Sequence, residues 1–289
     1  MVDETVQLGT LKVRRLGFGT MQLTGPGVWG PPRDPAGAIE VLRRSVELGV
    51  TLIDTADSYG PNVAEELVRE ALYPYPDSLA LATKAGLSRS GPNQWQPCGR
   101  PEYLRQQCEG SLRRLGVDQI DLFQLHRVDP TVDADEQFGL LKTLRDEGKV
   151  REVGLSEVSV AQIDAARRVV PVVSVQNHYN IAQRDAEGVL AHCELHDIGF
   201  IPWFPLGSGK LSAPGGPLAG VAEELGATAS QISLAWLLRR SPIMLPIPGT
   251  SSLEHLEENC AAARVTLTDD MYQELTDSRK QLRRWALSN

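Results

Sequence analysis

Two rhythms of apolar and polar positions alternate along the chain. Short apolar runs end on a polar residue, and stretches with apolar positions at helical spacing follow them. Residues 6–8 and 12–14 flank Gly9-Thr10, which predicts a small amino-terminal hairpin. Residues 15–20 read as a strand, and residues 25–32, rich in glycine and proline, as an irregular loop. Asp34 before Pro35 is a cap followed by a first-turn proline, so a helix starts there. Ala38, Val41, Leu42, Ser45 and Val46 share one face of it, and Gly49 ends it. Further strands are predicted at 51–54, 79–83, 120–125, 150–154, 172–176, 200–203 and 243–246. Helices at 64–72, 101–115, 134–147, 160–169, 186–196, 229–239 and 253–263 separate or follow them. Capping boxes fit Ser159 with Gln162, Thr228 with Gln231, and Ser251 with Glu254.

Eight strand–helix units without a dividing linker predict α/β architecture. We expect a (β/α)8 TIM barrel forming one domain over residues 1–289, with an extra helix in the tail at 268–288. A doubly wound sheet is the rival, but its dinucleotide fingerprint is missing. Gly17-Phe18-Gly19 runs into Thr20-Met21-Gln22, so it reads as a close-packed strand end. The hydrophobic fraction of 42% and charged fraction of 23% are ordinary for a globular chain. A formal charge of −8 with no basic block argues against nucleic acid or an anionic membrane as partner. No apolar run approaches the roughly 18 residues of a membrane span. The acidic start, Met1 to Thr5, lacks an export signal, so a cytoplasmic location is expected. Cys98, Cys108, Cys193 and Cys260 have no paired spacing and are read as reduced thiols. His192 and His196 stand i, i+4, as a helical metal pair does. With no third ligand nearby in sequence they read as a solvated helix face, and no metal is expected.

Chemistry enters at the strand ends. Asp54, Lys84 and His126 close or directly follow three successive predicted strands, and Tyr59 follows Asp54 in a turn. Side chains at the carboxyl ends of barrel strands converge on one mouth. Each residue alone has a plainer role: Asp54 as a turn cap, Lys84 as an ion-pair partner, His126 as a satisfied core histidine, Tyr59 as loop packing. Together they make a proton donor. An ammonium at Lys84 favours the Tyr59 phenolate and should lower its pKa from about 10. Asp54 holds the lysine, and a neutral His126 fixes a carbonyl oxygen. The hydride for carbonyl reduction must come from a nicotinamide cofactor.

At these residues the sequence resembles the aldo-keto reductase superfamily over essentially its whole length. The stretches that carry the resemblance are residues 16–21, 53–60, 81–84, 103–121, 154–156, 175–180, 205–207 and 247–252. The resemblance implies a (β/α)8 barrel using NAD(P)H, a tetrad of Asp54, Tyr59, Lys84 and His126, and Tyr59 as general acid/base. It also implies that Ser156 and Gln176 meet the nicotinamide carboxamide and that Trp203 stacks on the ring. Glu157 stands where the family has asparagine, and a carboxylate cannot donate a hydrogen bond. Leu206, Gly207 and Ser208 resemble the segment that covers the pyrophosphate. Gly249, Thr250, Ser251 and Ser252 at a helix start resemble the 2′-phosphate site, with His255, Glu258 and Asn259 along the helix. The lysine and arginine that many members carry at positions 249 and 255 are absent. NADPH is the expected cofactor, with NADH not excluded.

Residues 21–34 and 69–75 are similar to the pyridoxal reductase (pyridoxine 4-dehydrogenase) branch, which implies an aromatic aldehyde substrate with Trp29 and Trp95 as pocket walls. Alternatives within the resemblance are a keto-sugar or other metabolite ketone reductase, and a cofactor-binding regulatory protein like the potassium-channel β subunits. A monomer or weak homo-oligomer is expected.

Overall fold

Along the strands, every second residue faces the barrel interior. Leu52, Ala80, Ala82, Leu122, Ile201, Leu245 and Ile247 belong to one buried apolar cluster. The intervening Ile53, Leu81, Phe123 and Leu125 pack outward under helices. Two residues beyond Leu52, Ala82 and Leu122 the same phase brings Asp54, Lys84 and Gln124. The polar site is therefore the interior face carried past the apolar layer.

The computed structural model describes residues 5–212 and 215–288. β1 (Thr5–Leu8) and β2 (Leu11–Arg14) pair antiparallel as the predicted hairpin. Val6, Leu8, Leu11 and Val13 plug the lower end of the interior cluster. Glu152 ties the hairpin turn down, accepting from the Thr10 amide at 2.6 Å and its hydroxyl at 2.7 Å.

The parallel sheet holds seven strands among the described residues. They are β3 (Phe18–Gly19), β4 (Leu52–Asp54), β5 (Ala80–Ala85), β8 (Ile120–Leu125), β9 (Val150–Ser156), β10 (Ser174–His178) and β11 (Gly199–Trp203). The antiparallel hairpin of β6 (Leu87–Gly91) and β7 (Gln94–Pro97) lies between β5 and β8 in sequence. The predicted eighth strand at 243–246 is no regular strand: a single bridge joins Met244 to Phe200. Pro242, Pro246 and Pro248 remove the amides a ladder needs. The segment still closes the (β/α)8 barrel. Leu245 donates to the Phe200 carbonyl at 2.8 Å, and Gly17 donates to that of Pro246 at 3.0 Å. A Cβ on Gly19 would stand 2.8 Å from the Ile247 carbonyl oxygen, so the Gly17-Phe18-Gly19 pattern serves close packing at the seam.

Outside lie α1 (Pro35–Glu47), α2 (Val63–Leu72), α3 (Pro101–Leu115), α4 (Ala134–Asp146), α5 (Val160–Arg167), α6 (Glu187–Leu195), α7 (Ala219–Leu225), α8 (Ala229–Arg240) and α9 (Leu253–Ala261). The Asp34 cap on α1 and the capping boxes of α5 and α8 are present. The box expected at α9 from Ser251 and Glu254 does not form: Ser252 caps the helix alone, accepting from the His255 amide at 3.3 Å, and Ser251 is left to face the barrel mouth. The tail forms two helices instead of one, α10 (Asp269–Asp277) and α11 (Arg279–Ser288). Trp236 anchors them, its indole donating to the Thr276 hydroxyl at 3.0 Å. Among the described residues no helix is long and apolar enough to cross a membrane.

Candidate active site

Four strand ends deliver the polar floor of the mouth. The Lys84 ammonium is fully buried and donates to Asp54 Oδ1 at 2.6 Å, the Thr55 carbonyl at 2.9 Å and the Tyr59 hydroxyl at 3.2 Å. An ammonium has three protons, so all are committed. The Tyr59 oxygen thus accepts from Lys84 and turns its own proton elsewhere. Asp54 Oδ2 accepts from Gln124 at 2.9 Å and from Gln176 at 3.0 Å, which leaves the carboxylate well satisfied.

His126 completes the group. Its Nδ1 meets the Ser58 hydroxyl at 3.3 Å, and its ring stands edge-on to Tyr59 with centroids 5.8 Å apart. Burial, followed by the charges of Lys84, Arg127 and Arg89, pushes the imidazole well below its ordinary range, so it is neutral. The expected lowering of Tyr59 does not hold in this pocket. Burial raises the phenol above its ordinary 10, and the Lys84 charge only partly offsets this. Lys84 itself is disfavoured by burial, but Asp54 and Tyr59 outweigh that and raise it, so the ammonium persists.

The tetrad opens into a cavity of about 1020 Å³ that runs from Gly19 and Asp54 across the mouth to α9. That exceeds the usual few hundred to about 1,000 Å³ of a small-ligand site. Ser156, Gln176, Trp203 and Leu206 line it, as do Gly249, Thr250, Ser251, His255, Glu258 and Asn259. Glu157 is not in the lining. At φ 53 it accepts from the Trp203 indole and from the His178 amide, each at 2.6 Å. The His178 ring stacks on Trp203 with centroids 4.5 Å apart, so the indole is held from its edge and one face. Gly207 and Ser252 also fall outside the lining: Gly207 turns the backbone, and Ser252 is spent on the α9 cap. The Ser208 side chain lies outside the described residues.

Of the two tryptophans, Trp95 on β7 lines the cavity, edge-on to both Tyr59 and His126 with centroids 6.3 and 6.5 Å away. Trp29 does not; its backbone bridges Gly60, and its ring lies 5.6 Å from the Arg89 guanidinium. Arg89 was not anticipated. Its guanidinium stacks 3.5 Å from the Trp95 ring centre and donates to the carbonyls of Gly27, Val28, Ser58, Gly91 and Gln94. Nothing in the sequence flags it, because its acceptors are backbone atoms of separate loops.

Gln124 was also missed, although it lies in phase with Leu122 on β8, which is a readable signal. Arg127, directly after His126, is a third. Its Nη1 donates to the His126 carbonyl at 2.6 Å and to Ser156 Oγ at 3.1 Å, while the side chain lines the cavity.

A profile of the Aldo/keto reductase family matches residues 15–280. An uncharacterized oxidoreductase of Schizosaccharomyces pombe is 52% identical over 96% of this chain and 90% of its own. The pyridoxine 4-dehydrogenase of Escherichia coli is 43% identical over 95% of this chain and 98% of its own. Among solved structures, the glycerol dehydrogenase of Gluconobacter oxydans superposes with a TM-score of 0.89 at 26% identity, covering 98% of this chain and 97% of that one. An aldo-keto reductase of Klebsiella pneumoniae, in complex with NADPH, gives 0.82 at 28% identity, covering 98% and 96%. The chain belongs to the Aldo/keto reductase family and is an oxidoreductase.

Proposed function

We propose that the protein reduces aldehydes with NADPH, with pyridoxal, an aromatic aldehyde, as preferred substrate and Tyr59 as the proton donor. The observation that carries this reading is the saturated Lys84 ammonium, bonded at once to Asp54 and to the Tyr59 oxygen on the floor of a cavity large enough for a dinucleotide and a small substrate. Because Lys84 donates to the Tyr59 oxygen, the phenol proton is free to serve a substrate carbonyl. In this reading Ser58 donates to Nδ1 of the neutral His126, which puts the ring proton on Nε2 as a second hydrogen-bond donor to that oxygen. These two donors favour the carbonyl as negative charge grows on it.

When bound, the reduced nicotinamide supplies the hydride. Trp203 offers it the ring face that His178 does not cover. The Gln176 amide nitrogen already donates to Asp54 and Gln124, so its carbonyl oxygen is the atom left to accept from the carboxamide. Glu157 is spent on Trp203 and His178. The missing donor then comes from Ser156, whose hydroxyl accepts from Arg127, or from the free edge of that guanidinium. At the far end, Thr250 and Ser251 just before α9, with His255 and Asn259 along it, suit the 2′-phosphate and adenine. Glu258, which accepts from the Thr228 hydroxyl, also suits the adenine amino group. The identity to the E. coli pyridoxine 4-dehydrogenase supports pyridoxal over other aldehydes.

The test pairs fluorescence titration by NADPH and NADH with turnover of pyridoxal, simple aromatic aldehydes and a keto-sugar. NADPH should bind more tightly and pyridoxal should give the highest kcat/KM. Tyr59→Phe should lower kcat by roughly 10²–10⁴ while cofactor affinity stays within a few-fold. Retained kcat in that variant removes Tyr59 as the acid. Pyridoxal ranking last transfers the site to ketones, and negligible turnover of every substrate beside a stable protein partner would make it a regulatory subunit.

A further inference from the structure

On the outer wall of the barrel, away from the cavity, the histidine pair of α6 does not form the solvated face that its spacing suggests. His192 and His196 lie one turn apart with ring centroids 4.5 Å from each other, and both are only partly exposed. The neighbouring helix α5 brings up Asp164, whose Oδ1 is 3.0 Å from His192 Nε2. One ligand atom from each of the three residues falls within a 4.8 Å span. Sequence spacing could not reveal the third member, because it comes from a different helix.

We propose that Asp164, His192 and His196 form a binding site for a divalent transition-metal ion of the zinc class. The first reason is the state of His192. Its Nε2 is buried and makes no hydrogen bond, although the carboxylate is only 3.0 Å away. The two atoms are close without the alignment a hydrogen bond needs. Two ligands held about 2.0–2.1 Å from a tetrahedral ion stand about 3.3 Å apart, so the contact matches one edge of a coordination sphere. The Asp164 carboxylate, 45% exposed, has room to rotate and close the wider separations. The second reason is donor chemistry. Two imidazoles and one carboxylate suit zinc, copper or nickel, whereas magnesium and calcium prefer oxygen shells.

Cys193, between the two histidines, does not join them. It is fully buried, and its sulfur is not among the ligand atoms gathered within that 4.8 Å span. None of the three ligands lines the catalytic cavity. An ion held here would tie α5 to α6 and stabilise the folded chain by mass action, without entering the reaction.

The test is zinc titration of chelator-stripped full-length protein by calorimetry, with thermal unfolding and reductase activity followed in parallel. The expected result is one zinc per chain with a dissociation constant on the order of 10 µM or below, and a Tm that rises with zinc. His196→Ala should weaken binding by more than the roughly 10–100-fold that loss of an outer-shell partner costs. Asp164→Asn, on the other helix, should weaken it too and serves if the first variant does not fold. Tyr59→Phe and Cys260→Ser should leave binding unchanged. Uptake only at millimolar zinc, or uptake that survives both ligand variants, overturns the site. So does binding lost in Cys260→Ser.

Discussion

Two carboxylates are sealed beneath the barrel mouth, Asp54 and Glu65, and each holds a cation. The Asp54 carboxylate receives Lys84 on one oxygen and the amides of Gln124 and Gln176 on the other. Glu65, on α2, receives Arg114 at 2.5 Å on one oxygen and the Thr83 hydroxyl at 2.6 Å on the other. Thr83 and Lys84 are adjacent on β5, so one strand feeds both pairs from its two faces. The inward pair continues through Lys84 to Tyr59 and the cavity. The outward pair ends between helices.

The outward cluster carries more acid than base. Asp57 lies close to Glu65, with Arg114 the cation they share. Burial and then the Glu65 charge raise Asp57 well above the ordinary carboxylate range, and its Oδ1 has no hydrogen-bond partner. The inward cluster pairs its carboxylate with a cation; the outward one holds a second acid that burial and the Glu65 charge push toward its neutral form. On the proposed reading of the site, the same ingredients deliver a proton only where the cation has a third partner open to the cavity.

Substitutions can break that contrast. The largest effect is expected for Lys84→Met. We predict a fall in kcat of roughly 10²–10⁴, because Tyr59 loses the charge that favours its phenolate. Any residual activity should extend to higher pH, since Tyr59 is already raised by burial and Lys84 is what holds it down. Rate–pH profiles of wild type and variant read both outcomes, and an unchanged alkaline limb would uncouple the two residues. Arg114→Met comes next. Stranding Glu65 should cost about 3–5 kcal/mol of stability in denaturant titrations, while kcat per folded molecule stays near wild type. A loss of kcat without a loss of stability would mean that the outward pair serves chemistry after all.

Asp57→Asn should have the smallest effect, and its sign depends on pH. The folded state keeps the Asp57 proton to higher pH than the unfolded chain, which releases it near the ordinary aspartate value of about 4. The wild type therefore loses stability as pH rises through that window, and the variant does not. The variant's advantage should be absent below about pH 4 and grow to the order of 1 kcal/mol near neutrality. Equal stability of the two proteins from pH 4 to 8 would show that Asp57 ionises freely.

Legibility in the sequence follows the range of the forces involved. Local signals served well: Pro101 and Gly116 bracket α3 at its predicted bounds, and the strand ends of β4, β5 and β8 announced Asp54, Lys84 and His126. At α9, two adjacent serines can each cap, and only packing chose Ser252. The β6–β7 hairpin went unread as structure because its strands are polar and half-exposed, without an apolar alternation. α7 was also missed, a seven-residue helix in a glycine-rich region. Tyr59 was misjudged in acidity because a sequence names its charged neighbour but not the depth of its burial. Arg89 and Asp164 act across distant segments, so neither could be read from spacing.

Arg89 also bears on engineering. One guanidinium gathers carbonyls from the loop at Gly27 and Val28, from Ser58 beside the tetrad and from its own hairpin, with Trp95 laid across its plane. The pocket wall is therefore a single module. A graft of the Trp95 ribbon into another reductase would carry over selectivity only if the recipient's Gly27, Val28 and Ser58 equivalents presented their carbonyls to the incoming arginine.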